Sequence, residues 1–94
     1  MGEIKFPKEY SWVLMGRQRR EALKLFPDKP ITAEELRKKI NEKTPLKLSL
    51  REMSRHLTSF VEKGLTKCLN PDAPYNKLYI ITDRGKRIQE ELMN

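Results

Sequence analysis

Apolar residues along this chain recur first at helical spacing, then at strand spacing, then at helical spacing again. Tyr10 to Phe26 predicts mostly helix, divided at Gly16, with Ala22, Leu23, Leu25 and Phe26 forming the buried face of the second piece. Pro27-Asp28-Lys29-Pro30 makes a turn, and Ile31 provides one short strand residue. Thr32-Ala33-Glu34-Glu35 has capping-box spacing and opens a helix over about 33–42, with Leu36 and Ile40 inward. Lys43 to Leu48 is a connector, because Pro45 disfavours helix at Thr44. Ser49-Leu50-Arg51-Glu52 repeats the capping box and starts a helix that ends near Lys63, with Gly64 as its left-handed cap. The runs 65–69 and 77–81 are β-prone and flank a turn-rich tip, so they predict a hairpin. Thr82 then caps a last helix with Ile88 and Leu92 inward.

The helix over 49–63 carries most of the functional information. At about 100° per residue, Leu50, Met53, Leu57, Phe60 and Val61 gather on one side, while Arg51, Arg55, Thr58, Ser59 and Glu62 gather on the other. Lys43, Lys47, Arg51 and Arg55 recur every fourth residue, with Glu52 as the only acid between the first and last of them. The whole chain follows the same bias, with 20 Lys plus Arg against 13 Asp plus Glu and a net charge of +7, which favours a polyanionic partner.

Composition removes several alternatives. Ninety-four residues make one domain of α+β, mostly helical type, with 1–16 as an amino-terminal arm and 17–94 as the body. With 37% hydrophobic and 35% charged residues the chain can build one modest core but no roomy substrate pocket. No apolar run approaches the ~20 residues of a membrane span, and the first ten residues have no signal-peptide pattern, so a cytoplasmic location is expected. Cys68 and His56, one of each, supply no disulfide and no metal ligand set. Cys68 reads as a small buried apolar residue and His56 as a boundary residue bonded to backbone. Glu34 and Glu35 read as first-turn charges. No phosphate loop, nucleophile–base pair or convergent acids are present, which argues against an enzyme and against a cofactor.

Met53-Ser54-Arg55-His56-Leu57, followed by Phe60 and Gly64-Leu65, resembles the recognition-helix pattern of ArsR-like regulators. Tyr79-Ile80-Ile81-Thr82-Asp83-Arg84-Gly85 is similar to the segment that ends the wing and starts the last helix in ArsR-like and MarR-like regulators, and Arg19-Arg20-Glu21-Ala22-Leu23 to their first core helix. The resemblance spans about 15–92 and implies a winged helix-turn-helix: a three-helix core, a β-hairpin wing and a carboxy-terminal helix. Two features depart from the pattern. The connector before the third core helix is several residues longer, and the tip 71–76 carries Asp72 and no arginine.

On this reading helix 49–63 enters the major groove of duplex DNA. Arg51, Ser54, Arg55 and Thr58 are the candidates for base edges, since arginine bonds guanine in a bidentate manner and hydroxyls bond bases or phosphates. Thr32, Lys43, Lys47, Ser49, Lys67, Tyr75 and Lys77 are the candidates for phosphates, the first and fourth through positive helix ends. Regulators of this kind pair through a first and a last helix, which implies a homodimer built from Tyr10, Trp12, Val13, Leu14 and Met15 with Ile88 and Leu92. The alternative at that segment is that Trp12 packs on its own domain. The alternative function is a winged-helix docking module of transcription or replication machinery that recognises protein and not DNA.

Overall fold

Local signals in the chain translate almost one for one into elements in the computed structural model, which describes residues 4–94. Residues 1–3 of the arm 1–16 lie outside the described residues. Five helices and three strands follow in the order α1 (Pro7–Met15), α2 (Arg17–Lys24), β1 (Ile31–Thr32), α3 (Ala33–Lys43), α4 (Leu50–Glu62), β2 (Thr66–Cys68), β3 (Leu78–Ile81) and α5 (Asp83–Met93). The fold is therefore α+β and mostly helical. No helix among the described residues is long and apolar enough to cross a membrane.

Both capping boxes form. The Thr32 hydroxyl accepts from the Glu35 amide while the Glu35 carboxylate accepts from the Thr32 amide, and Ser49 and Glu52 repeat the exchange at α4. At the far end of α4 the Leu65 amide reaches back to the Phe60 carbonyl and the Gly64 amide to that of Val61, with Gly64 at φ 77°. That left-handed turn is one glycine adopts without steric penalty, and it sends the chain directly into β2. The connector is ordered by two side chains: Thr44 donates to the Ile40 carbonyl (2.8 Å) and accepts from the Leu46 amide (3.1 Å), and Asn41 holds Leu48. Asn41 donates to the Leu48 carbonyl (3.0 Å) and accepts from the Leu48 amide (2.9 Å), which draws the loop back onto α3 and buries Leu48.

The hairpin and the short strand expected at Ile31 join in one three-stranded sheet. β3 lies in the middle, antiparallel to β2 through Lys67↔Ile80 and to β1 through Ile31↔Tyr79. β1 is confined to two residues by Pro30 before it and the α3 cap at its end, yet the pairing ties the start of α3 to β3. Met53, Leu57 and Phe60 of α4 pack with Leu23, Leu36, Ile40, Leu65 and Ile88 into one apolar cluster, all fully buried. From α5 the Gln89 amide donates to the Leu23 and Phe26 carbonyls (2.9 and 2.8 Å), completing the end of α2.

Two expectations are corrected. Leu50 and Val61, assigned inward, are 48% and 38% exposed, because they lie on the edge of the α4 stripe and no element covers that edge. The arm also folds back on its own chain. Val13 and Ile88, expected at a dimer surface, are completely buried in the core, and α1 packs against α2 and α5. The Trp12 ring meets Phe60 edge-on at 5.9 Å with the Arg19 guanidinium 4.4 Å above it and the Lys63 ammonium 5.2 Å away. Tyr10 and Leu92 are partly buried against the same cluster, leaving Leu14 and Met15 exposed among the residues assigned to pairing. The apolar surplus of the arm is thus largely absorbed within the chain.

Gly85, on the first turn of α5, lies where that helix approaches the end of α4. A Cβ there would collide with the Leu65 carbonyl oxygen and come within 2.7 Å of Ile81 Cγ1. The Leu65 carbonyl is itself fixed by the Thr82 amide (3.0 Å) and cannot swing aside. Gly85→Ala is therefore expected to lower stability by about 3 kcal/mol, the upper end of the usual overpacking penalty, read as a shift in urea midpoint at constant slope.

Candidate nucleic-acid interface

The α4 helix presents three separate faces because its buried stripe is narrow. Leu50, Ser54 and Thr58, spaced one turn apart, line an open groove of about 390 Å³. The opposite walls are Thr32, Ala33 and Glu34 at the start of α3 and Pro74, Tyr75, Asn76 and Lys77 at the hairpin tip, with Tyr79 at the sheet. Arg51 and Arg55 stand on the adjoining outer face, both exposed. Among the described residues neither has a carboxylate within 4.0 Å, so neither forms the helix-surface pairs that Glu52 or Glu62 could have offered. Glu52 is otherwise engaged, accepting from the Ser49 amide and from Gln18 (3.4 Å), and these bonds hold its carboxyl below the ordinary value.

The candidate residues divide accordingly. Thr32, Ser54, Thr58, Tyr75 and Lys77 meet in the groove, and Arg51 and Arg55 border it. Lys43, the last residue of α3, and Lys47, in the connector after it, are exposed outside the groove. The hydroxyls of Thr32 and Ser49 are committed to their capping boxes, which leaves the helix ends themselves, not the side chains, as the positive features there. Thr58 donates to the Ser54 carbonyl (3.1 Å) and keeps its oxygen lone pairs for another donor. Lys67 pairs with Ile80, on the sheet face opposite Cys68 and Tyr79; Tyr79 lines the groove, so strand alternation points Lys67 away from it.

The groove walls are electrostatically mixed but biased. Glu34 contributes the acid, and Arg37 (2.6 Å) and Lys38 (3.9 Å) offset it; the Arg37 hydrogen bond lowers its pKa first of all, with burial opposing. The tip is held in shape by Asn70, whose carboxamide accepts from the Leu78 amide (2.7 Å) and donates to the Asn76 carbonyl (3.5 Å). That leaves Tyr75 projecting, 81% exposed. Sequence periodicity does not reveal Asn41, Asn70 or Gln18 as positioning residues. The Asn70-Pro71 dipeptide is the one local signal among them, as a turn starter.

The third face of α4 turns toward α2. His56 Nε2 lies 2.7 Å from Gln18 Oε1. Its partner is a side chain and not backbone, because α4 and α2 are close enough for two side chains to meet across the gap. Among the described residues no group of three or more His, Cys, Asp or Glu is placed to hold a metal ion. No protein-family model matches the chain, and no curated protein is significantly similar to it.

Burial lowers the His56 imidazole below its ordinary value of 6.5, with Arg19 and Arg55 acting the same way and Glu52 opposing. A base depressed in the fold binds its proton more readily in the unfolded chain. Its contribution to stability is then complete above pH 6.5, declines as pH falls below that value, and levels off beneath the folded pKa. Melting temperatures of wild type and His56→Gln, compared from pH 8 to 5, should converge as pH falls. Parallel curves would remove His56 as the origin of the step.

Proposed function

We propose that the protein is a sequence-specific duplex DNA-binding transcriptional regulator of winged helix-turn-helix type. In this reading α2, α3 and α4 are the three-helix core, α4 lies in the major groove, β2 and β3 are the wing on the adjacent backbone, and α5 closes the domain. The element order and the capped, firmly seated α4 support the architecture. One observation carries the function: the exposed outer face of α4, where Arg51 and Arg55 have no carboxylate partner among the described residues and adjoin Ser54 and Thr58.

A major groove about 12 Å wide admits such a helix. Arg51 and Arg55 donate to guanine edges, and Ser54 and Thr58 bond a base or a phosphate. Lys77 and Tyr75, across the protein's own groove, meet the backbone on one side, and Lys43 and Lys47 meet it beyond the start of α4. The net charge of +7 supplies the long-range attraction that brings the two together.

Arg55→Ala is expected to weaken specific binding by about 1 to 3 kcal/mol and to relax base preference at one position, read by fluorescence anisotropy against a duplex selected from random sequence. Unaltered affinity and selectivity would remove Arg55 from the interface. Wild-type affinity should fall about a thousandfold or more between ~50 and ~200 mM salt, as several phosphates release their counterions. A docking module that recognises protein would show no saturable duplex binding even at the lower salt.

A further inference from the structure

Leu50 is out of place for a residue with a structural task. It occupies the first position of α4, where the cap is made by Ser49 and Glu52 on either side of it, and the core beneath is filled by Met53, Leu57 and Phe60. Nearly half its surface, 48%, remains in water. An apolar side chain left there forfeits roughly 25 cal/mol for every Å² it does not bury. The groove it lines is mixed: Ser54 and Thr58 on its own helix, Ala33 and Glu34 at the start of α3, with the Glu34 carboxylate already paired to Arg37, and Pro74, Tyr75 and Lys77 on the tip opposite. Arg51 follows it in sequence and Lys47 precedes it by three residues, both exposed, so an occupant reaching the outer edge of the groove at this end of α4 meets an apolar side chain with two cations beside it.

That combination selects among occupants. An apolar protein surface would have to strip water from Arg51, Lys47 and Lys77 without compensating them, at a considerable desolvation cost. A duplex supplies phosphates to those cations, and within its major groove the base edges are polar apart from the C5-methyl of thymine. The amino-terminal residues of a helix inserted in that groove are the ones that reach base edges. Resting on the reading of α4 as the DNA-contacting helix, we propose that Leu50 is a specificity-determining residue that packs against a thymine C5-methyl, so that a T·A pair is read by apolar contact beside the pairs read by Arg51 and Ser54. Leu50, Ser54 and Thr58 lie along one line of the helix, and the thymine falls at the end of the contacted segment nearest the start of α4.

The test uses the intact chain and a duplex recovered by selection from random sequence, with each thymine replaced in turn by deoxyuridine, which lacks only the methyl group. Wild type should bind about fourfold more weakly when one particular thymine is replaced, the effect of a single buried carbon group. Leu50→Ala should bind that uracil duplex and its parent equally, and Leu50→Met should recover the discrimination. Urea midpoints close to wild type for both variants would show that the fold is retained, as expected for a half-exposed first-turn residue. Uracil substitution without effect at every thymine, or with equal effect on wild type and Leu50→Ala, would overturn the role of Leu50 while leaving DNA binding in place. Failure of wild type to bind any duplex saturably would overturn the DNA reading and this inference together.

Discussion

Three side chains on one side of α4 hold the rest of the arrangement in place. Met53, Leu57 and Phe60 are fully buried, each contributing on the order of 1.5 to 3 kcal/mol by leaving water, and they engage α2, α3, the end of β2 and the arm at once. Because this stripe is narrow and deep, the remaining side chains of α4 are turned in definite directions, His56 toward α2 and Arg51, Ser54, Arg55 and Thr58 into solvent. Phe60 matters twice, since Trp12 rests edge-on against it and extends the core to α1. A helix seated more loosely would not keep Arg51, Ser54, Arg55 and Thr58 at fixed heights relative to the hairpin tip.

The charges are distributed consistently with that geometry. Acids lie close to bases where they support structure: Glu34 with Arg37, Glu9 with Arg84, Asp28 with Lys86. Glu35 and Glu52 are drawn into capping boxes, and backbone amides hold both carboxyls below the ordinary value. The cations of the outer α4 face are left without such partners among the described residues. Exposed arginines in water incur little penalty for being unpaired, and they remain available to a partner that brings its own negative charge.

The arm is held to the body by aromatic and cationic groups. Gly16 interrupts the helix so that α1 can fold back, and α2 starts without any side-chain cap. The Arg19 guanidinium covers Trp12, Arg20 donates to the Leu14 carbonyl (3.0 Å), and Arg84 lies over the Phe6 ring at 4.8 Å while reaching Glu9. These contacts join α1 to α2 and α5, which is why Trp12 and Val13, which look unpartnered in the linear chain, pack with the core.

Much of the fold was legible from spacing alone. Both capping boxes, the break at Gly16, the left-handed turn at Gly64, the hairpin runs and the inward positions Leu36, Ile40, Met53, Leu57 and Phe60 depend on residues no more than about four positions apart, and such relations are written directly in the chain. The candidate site was legible only in part, because which side of a helix is wet depends on what else packs there. Leu50 and Val61 belong to the apolar stripe by angle and to the surface by neighbourhood; Lys67 and Lys77 look equivalent along the hairpin, yet strand register turns one from the groove and leaves the other in it. His56 found Gln18, and Leu48 found Asn41, across separations that no period encodes. The sequence by itself determined the elements, most of their caps and their charge; tertiary packing alone decided which edges they leave uncovered, since burial is a property of distant segments meeting and not of any one of them.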